Sequence, residues 1–386
     1  MYLKIVILSD RNINLIVKMN RKNFLSSVLG LGATIPAIAT SKSHAATMPA
    51  RDPFPQTGMP IERPLPGLAS LPLLIPAYLQ PGDTIGITCP AGFITTKEIQ
   101  PAIQQIESWG YKIKVGDTVD KRDFTFGGTD AERAADFQKM LDDPEIKTIL
   151  CARGGYGAVH IIDRLDFSLL QQHPKWIIGF SDITVILCHL HSNFNIASIH
   201  SKMCNSFPDD WSKAEPIQVE SILSIRKALS GEKMQYSPLP HEKNRPGSAE
   251  GPLLGGNLKT IETLSGTRSD IDTAGKILFV EDTGEYLYSI DRMFWHLQRT
   301  GKLDRLAGLV VGGFKVKPDD PGDDFGRTVY DIVLDRVKPY NYPVCFDFPV
   351  GHQKENYALK YGMPHILTIQ PNQVKLMENQ VNLIEK

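Results

Sequence analysis

The chain has 386 residues, 42% of them hydrophobic, and 42 basic against 43 acidic side chains leave a formal net charge of -1. That length can bury a large core and divide into two domains. The even charge balance excludes nucleic-acid binding driven by counterion release, and no apolar run beyond residue 50 reaches the roughly 20 residues of a membrane span, so small-molecule or peptide chemistry remains.

From Met19 the chain carries Arg21 and Lys22, an apolar stretch from Phe24 to Ala39, and the small-x-small triplet Ser43-His44-Ala45. That order is the order of an export signal. Arg21-Lys-Asn-Phe-Leu25 is a weak form of a twin-arginine signal, with Lys22 in place of the second arginine. Residues 1–46 are therefore expected to be an export signal, with 1–18 as an upstream extension, which places the mature protein outside the inner membrane, in the periplasm. The alternative is an amphipathic helix kept in a cytoplasmic protein. No lipobox cysteine follows the apolar segment. Residues 47–77, rich in proline and glycine, lead into the folded part.

Residues 78–236 alternate strand and helix. The apolar run Thr84–Pro90 predicts a strand; Ile99, Ile103 and Ile106 share a helical face, with Thr96 as cap and Gly110 as stop. Tyr111–Val115 alternates as a strand, and Thr129-Asp-Ala-Glu132 has the form of a capping box opening a helix that runs to Asp143. A buried strand, Ile146–Ala152, ends in Arg153-Gly-Gly-Tyr-Gly157; a helix over Ala158–Leu165 precedes the strand Trp176–Phe180 and the helix Ile183–Leu190. Such alternation predicts a parallel sheet with helices on both faces, whose ligands gather at the carboxyl ends of the strands.

Two candidate features fall at those ends. Ser181, between an apolar strand and a helix in Gly179-Phe-Ser-Asp-Ile183, has the placement of an exposed nucleophile, although Ile183 stands where a nucleophile elbow has its second glycine. On local sequence alone, Ser181 or Asp182 as a helix cap is the simpler account. Gly154-Gly155 can present a backbone N–H to an oxyanion or a phosphate, or simply make a tight turn. No dinucleotide or P-loop signature is present.

Prolines and charges in 237–250 read as a linker to a second domain, 251–386. There Lys276–Asp282 is a strand ending in acid, Tyr286–Gln298 a helix burying Ile290, Phe294 and Leu297, and Leu309–Phe314 and Pro343–Phe348 are strands. Ile366–Met377 reads as a hairpin around Pro371-Asn372. Glu281 ends an apolar strand, where a carboxylate is costly to bury unpaired, and His352 follows Phe348-Pro-Val-Gly351. Each has a bland alternative, a loop amide partner for Glu281 and a surface position for His352. The five cysteines (Cys89, Cys151, Cys188, Cys204, Cys345) have no CxxC pairing and read as buried apolar residues, with one disulfide left open.

In combination, Arg153-Gly-Gly-Tyr-Gly157, Ile178-Gly-Phe-Ser-Asp-Ile-Thr184, Gly255-Gly-Asn-Leu258, Val280-Glu-Asp-Thr283, Val311-Gly-Gly-Phe314 and Phe348-Pro-Val-Gly-His352 closely resemble the L,D-carboxypeptidase family, in order, over about residues 78 to 380. That family includes muramoyltetrapeptide carboxypeptidases and microcin C immunity peptidases. The resemblance implies an α/β fold with a flavodoxin-like N-terminal domain and a smaller β-rich α+β C-terminal domain. It also implies a catalytic triad of Ser181, Glu281 and His352, with no metal or cofactor. Gly155 and Asp182 are the candidate oxyanion-hole N–H donors, and Arg153 and Tyr156 the candidate substrate contacts; a loop-fixing role for Arg153 is the equal alternative. The implied partner is a peptidoglycan-derived peptide losing a terminal D-alanine at an L,D bond, and the implied assembly is a homodimer. Two other readings stay open, an amidase of peptide-nucleotide conjugates and a non-catalytic wall-peptide binding protein. Well-known carboxypeptidases of the family work in the cytoplasm, from which the export signal departs.

Overall fold

The computed structural model describes residues 3–5, 17–19 and 71–379. Strands β1 (Leu3–Ile5) and β2 (Val17–Met19) pair antiparallel. Beyond Met19, the expected export signal and the lead-in up to residue 70 lie outside the described residues.

Five parallel strands build the first sheet: β3 (Thr84–Thr88), β4 (Lys112–Val115), β5 (Ile146–Cys151), β6 (Trp176–Gly179) and β7 (Ser198–His200), in the order β4-β3-β5-β6-β7. This is the doubly wound order of flavodoxin-like folds, and the strand order reverses between β3 and β5. The linking helices start where side-chain chemistry ends the orphaned first turn. Thr129 and Glu132 form the expected capping box at α2 (Asp130–Asp142). At α1 (Thr96–Ser108) the box uses Thr95 and Glu98 rather than Thr96, whose N–H and hydroxyl donate to Asp120 instead. Ile99, Ala102 and Ile106 bury the inner face of α1. The helix expected over Ala158–Leu165 is a four-residue α3 (Ala158–Ile161) followed by a 3-10 turn, Ile162–Arg164. Helices α4 (Ser168–Gln172), α5 (Thr184–Phe194) and α6 (Pro216–Leu229) complete this half.

The second sheet begins with β8 (Gln235–Tyr236) and β9 (Gly247–Asn257) and continues through α7 (Leu258–Leu264), β10 (Ile277–Glu285), α8 (Leu287–Arg299), β11 (Gly308–Val316), α9 (Val329–Val337) and β12 (Val344–Cys345). After β13 (Leu359–Tyr361), the hairpin β14 (Pro364–Gln370) and β15 (Gln373–Glu378) turns at Pro371 and Asn372 as expected. The order is β12-β11-β10-β9-β14-β15-β8, with β9 to β12 parallel and the remaining pairs antiparallel. The strand expected over Pro343–Phe348 pairs only at Val344–Cys345, because the backbone turns at Asp347 (φ 52°).

Two strands cross the boundary expected at residues 237–250. β13 pairs antiparallel with β7 and so closes the edge of the first sheet, while β8 closes the edge of the second beside β15. Each covers backbone groups that would otherwise be left exposed at a sheet edge. The exchange is locked by the buried ion pair Lys360–Glu378 (3.0 Å) and by a contact of 3.3 Å between Cys188 Sγ and Tyr361 Oη. All five cysteines are buried and free, so the disulfide left open by their number is not formed. Among the described residues no helix is long and apolar enough to cross a membrane.

A fully buried guanidinium ties together the loops at the carboxyl ends of β3 and β5. Arg133 Nη1 donates to the carbonyls of Pro90 (2.6 Å) and Gly157 (2.8 Å), Nε donates to Gly128, and Nη2 pairs with Asp130. Replacing it takes a donor from three buried carbonyls and a partner from one carboxylate. Arg133→Met is expected to lower stability by about 3–5 kcal/mol in urea denaturation; a loss below about 1 kcal/mol would show that these loops hold without the tie.

Candidate active site

β6 ends at Gly179, and the chain passes through extended Phe180 into Ser181, which takes the left-handed conformation (φ 62°). Holding a non-glycine residue there costs on the order of 1–3 kcal/mol and is typical of side chains held at a functional turn. Gly154 makes room for it: a Cβ at that position would lie 3.1 Å from Ser181 Cβ and 3.3 Å from the Phe180 carbonyl. The simpler local account, a helix cap, does not hold. Neither side chain caps α5. Asp182 Oδ2 instead accepts from the N–H of Ala158 at the start of α3 (2.7 Å), and Ser181 Oγ faces His352.

Glu281 and His352 arrive from the second sheet. Glu281 lies on β10 and is fully buried, and His352 sits on the loop between β12 and β13. His352 Nε2 is 3.1 Å from Ser181 Oγ, and His352 Nδ1 is 2.6 Å from Glu281 Oε2, which also accepts from the His352 backbone N–H at 3.2 Å. The three side chains form one hydrogen-bonded line joining the two sheets. Glu281 Oε1 has no hydrogen-bond partner among the described residues. Gly351 (φ 105°) lies so close that a Cβ there would overlap Glu281, at 2.7 Å from both Cγ and Oε2, and its N–H donates to Asn356 Oδ1 (2.9 Å). The Phe180 ring packs on the His352 ring with centroids 4.9 Å apart, and buried His200 fills the space between Phe180 and Phe279.

A second junction lies beside the first. The Asn257 N–H donates to Thr184 Oγ1 (3.2 Å) on the helix that follows Ser181. Asn257 Nδ2 and the N–H groups of Lys259 and Thr283 all donate to the Asp282 carboxylate. Gly256 (φ 130°) allows this approach, since a Cβ would come within 2.6 Å of Thr184 Oγ1. Burial pushes the carboxyls of both Asp182 and Asp282 up to about 6. The folded form of Asp182 thus holds its proton more tightly than the unfolded chain does. The stability it contributes is full below about 4 and is lost as pH rises through about 6. Asp182→Asn keeps an acceptor for Ala158 and removes the buried charge. It is expected to raise stability by roughly 1–2 kcal/mol at pH 8, with the gain vanishing towards pH 4 in thermal melts.

The remaining expected residues divide. Gly155 (φ 95°) and Asp182 follow the neighbouring strands β5 and β6, so their backbone N–H groups flank the same end of the sheet as Ser181. Arg153 donates from Nη1 to the Phe93 carbonyl (3.2 Å) and lies over the Phe93 ring, which fits the loop-fixing alternative. Tyr156 is exposed, bonds His160 through its hydroxyl (3.1 Å) and packs near Phe126. Sequence reasoning did not find Arg133, His200, Lys202 or Asn356. Of these, only His200 and Lys202 carried a local signal, their position at and just past the end of a short strand.

Residues 85–201 match the LD-carboxypeptidase N-terminal domain and residues 250–367 the LD-carboxypeptidase C-terminal domain. A probable murein peptide carboxypeptidase of Bacillus subtilis is 32% identical over 298 residues, covering 74% of this chain and 89% of the relative. A murein tetrapeptide carboxypeptidase of Pseudomonas aeruginosa is 29% identical over 294 residues, covering 75% and 94%. Among solved structures, a muramoyltetrapeptide carboxypeptidase from Oxalobacter formigenes superposes with a TM-score of 0.68 at 27% identity, covering 77% of this chain and 99% of that one. The microcin C7 self-immunity protein MccF, in complex with aspartyl sulfamoyl adenosine, gives a TM-score of 0.70 at 22% identity over 80% and 99%, a likeness of fold. With both halves matched in order and the paired sheets that such a fold requires, the chain belongs to the L,D-carboxypeptidase family.

Proposed function

We propose that this chain is a serine carboxypeptidase that cuts the L,D amide bond of a wall-derived tetrapeptide and releases its terminal D-alanine. The observation that carries the reading is the line Ser181 Oγ, His352 Nε2, His352 Nδ1, Glu281 Oε2, with links of 3.1 and 2.6 Å. A serine hydroxyl is a weak nucleophile at neutral pH. His352 takes its proton as Oγ attacks the carbonyl and returns that proton to the leaving amine. Glu281 holds the imidazole in the tautomer that presents a bare Nε2 to the hydroxyl and stabilises the cation that forms. The N–H groups of Gly155 and Asp182 receive the developing oxyanion, where loss of one donor typically costs about 3 kcal/mol of barrier. Water then attacks the acyl-enzyme with His352 as base.

The test is mass spectrometry of tetrapeptides with lysine or diaminopimelate at the third position, incubated with the purified chain. Free D-alanine and the matching tripeptide are expected. Tight binding with intact peptide would favour a non-catalytic binding protein, and cleavage confined to an aminoacyl-sulfamoyl nucleoside would favour the amidase. Export and self-association belong to the same proposal: Arg21, Lys22 and the apolar stretch to Ala39 support a periplasmic enzyme, and the family resemblance supports a homodimer.

A further inference from the structure

An exopeptidase must recognise the free carboxylate one residue beyond the scissile bond, and the cation that does so lies on the leaving-group side. His352 marks that side, because it returns the proton to the leaving amine. Arg153 is on the other side, on the loop that follows β5, and its guanidinium is engaged with the Phe93 carbonyl.

Lys202 fits the requirement. Gly179 of β6 and His200 of β7 are register partners, so Ser181 and Lys202 each stand two residues past a paired position, at the ends of neighbouring parallel strands. Such strands are about 4.8 Å apart. The segment that carries Lys202 runs beneath the site. His200 packs against Phe180, and Met203 Cε would be 3.2 Å from a Cβ on Gly154. Lys202 Nζ donates to the carbonyl of Gln353, the residue after His352, at 2.7 Å. An ammonium has three donors, so two remain.

No carboxylate among the described residues forms an ion pair with this amine. Glu281 lies nearby but is already bonded to His352. The other charged neighbour is Lys315 on β11, which repels it. Burial and Lys315 together bring the Lys202 ammonium down to about 8, so it is charged at neutral pH, and among the described residues only the already engaged Glu281 carboxylate attracts it. A partly buried cation without an ion-pair partner gains when an anion completes it.

Building on the carboxypeptidase reading, we propose that Lys202 binds the C-terminal carboxylate of the peptide substrate and confines the enzyme to the last residue. The test compares kcat/KM for a wall tetrapeptide ending in free D-alanine with that for its C-terminal carboxamide. Wild type is expected to prefer the acid by roughly 10- to 100-fold, the value of a charge-assisted hydrogen bond. Lys202→Met should collapse that preference to within a few-fold, through a loss on the acid alone, while Lys202→Arg retains most of it. Should Lys202→Met fail to fold in a thermal melt, Lys202→Gln makes the same comparison. An unchanged preference in the neutral variant overturns the assignment, and collapse in Arg153→Met instead transfers it to Arg153. If wild type cleaves neither peptide, the carboxypeptidase reading falls and this assignment falls with it.

Discussion

Ser181→Ala is expected to abolish release of D-alanine, with kcat lowered by at least roughly 10,000-fold and peptide binding retained. Under the proposed mechanism, loss of the nucleophile leaves only what oxyanion donors and substrate binding can do, and triad residues that act as a unit fail together. The fold should survive, because the Ser181 side chain caps no helix and, among the described residues, hydrogen-bonds only to Nε2 of His352. A second variant separates chemistry from architecture. Ser181 is left-handed at φ 62°, a conformation that glycine adopts freely. Ser181→Gly should therefore be as inactive as the alanine variant and more stable than wild type by about 1 kcal/mol. Chromatographic D-alanine assay and thermal melts on the three proteins decide the matter. Residual turnover within 100-fold of wild type in Ser181→Ala would mean that the hydroxyl is not the nucleophile.

How much of this was legible in the residues depends on the range over which each contact acts. Thr129 with Glu132, the apolar face of α1 and the turn at Pro371-Asn372 are local devices, and the periodicity showed them to within a residue or two. Ser181, Glu281 and His352 were each ambiguous alone, since a serine before a helix is more often a cap. Six short motifs in order singled them out together through the family resemblance, and the fold places the three side chains in one hydrogen-bonded line. What stayed hidden is nonlocal. β13 is three residues long and joins β7 across more than a hundred positions, a pairing that no pattern in Leu359-Lys-Tyr361 announces. Lys360 is buried there only because Glu378 reaches it from the hairpin. Arg133 and Lys202 look like ordinary surface cations in a helix and a loop, and the full burial of the first and the partial burial of the second follow from which strand ends meet beside them.

Glu281→Gln and Gly351→Ala should both disable the site by different routes, and the contrast tests the role given to Glu281. Glutamine keeps the size of the side chain, so the fold and Tm should change little. Its amide either offers Nε2 to His352 Nδ1, forcing the tautomer that presents a proton to Ser181, or offers the oxygen without the charge that stabilises the imidazolium. In both cases kcat is expected to fall by roughly 1,000- to 10,000-fold, as when a triad carboxylate is made an amide. Gly351→Ala leaves every triad atom in the sequence, yet its Cβ would overlap Glu281 Cγ and Oε2 at 2.7 Å, and φ 105° is hostile to an L side chain. The nearest atom is Glu281 Cβ, which is fixed to the strand and cannot swing aside, so the loop must move. Stability should drop by roughly 2–4 kcal/mol and kcat by on the order of 100-fold, as Glu281 and His352 part. Steady-state kinetics beside urea melts give both quantities. If Glu281→Gln kept more than a tenth of wild-type kcat while Gly351→Ala lost activity, the carboxylate would matter only as a spacer for the His352 loop, and the pairing of charge with imidazole would have to be abandoned.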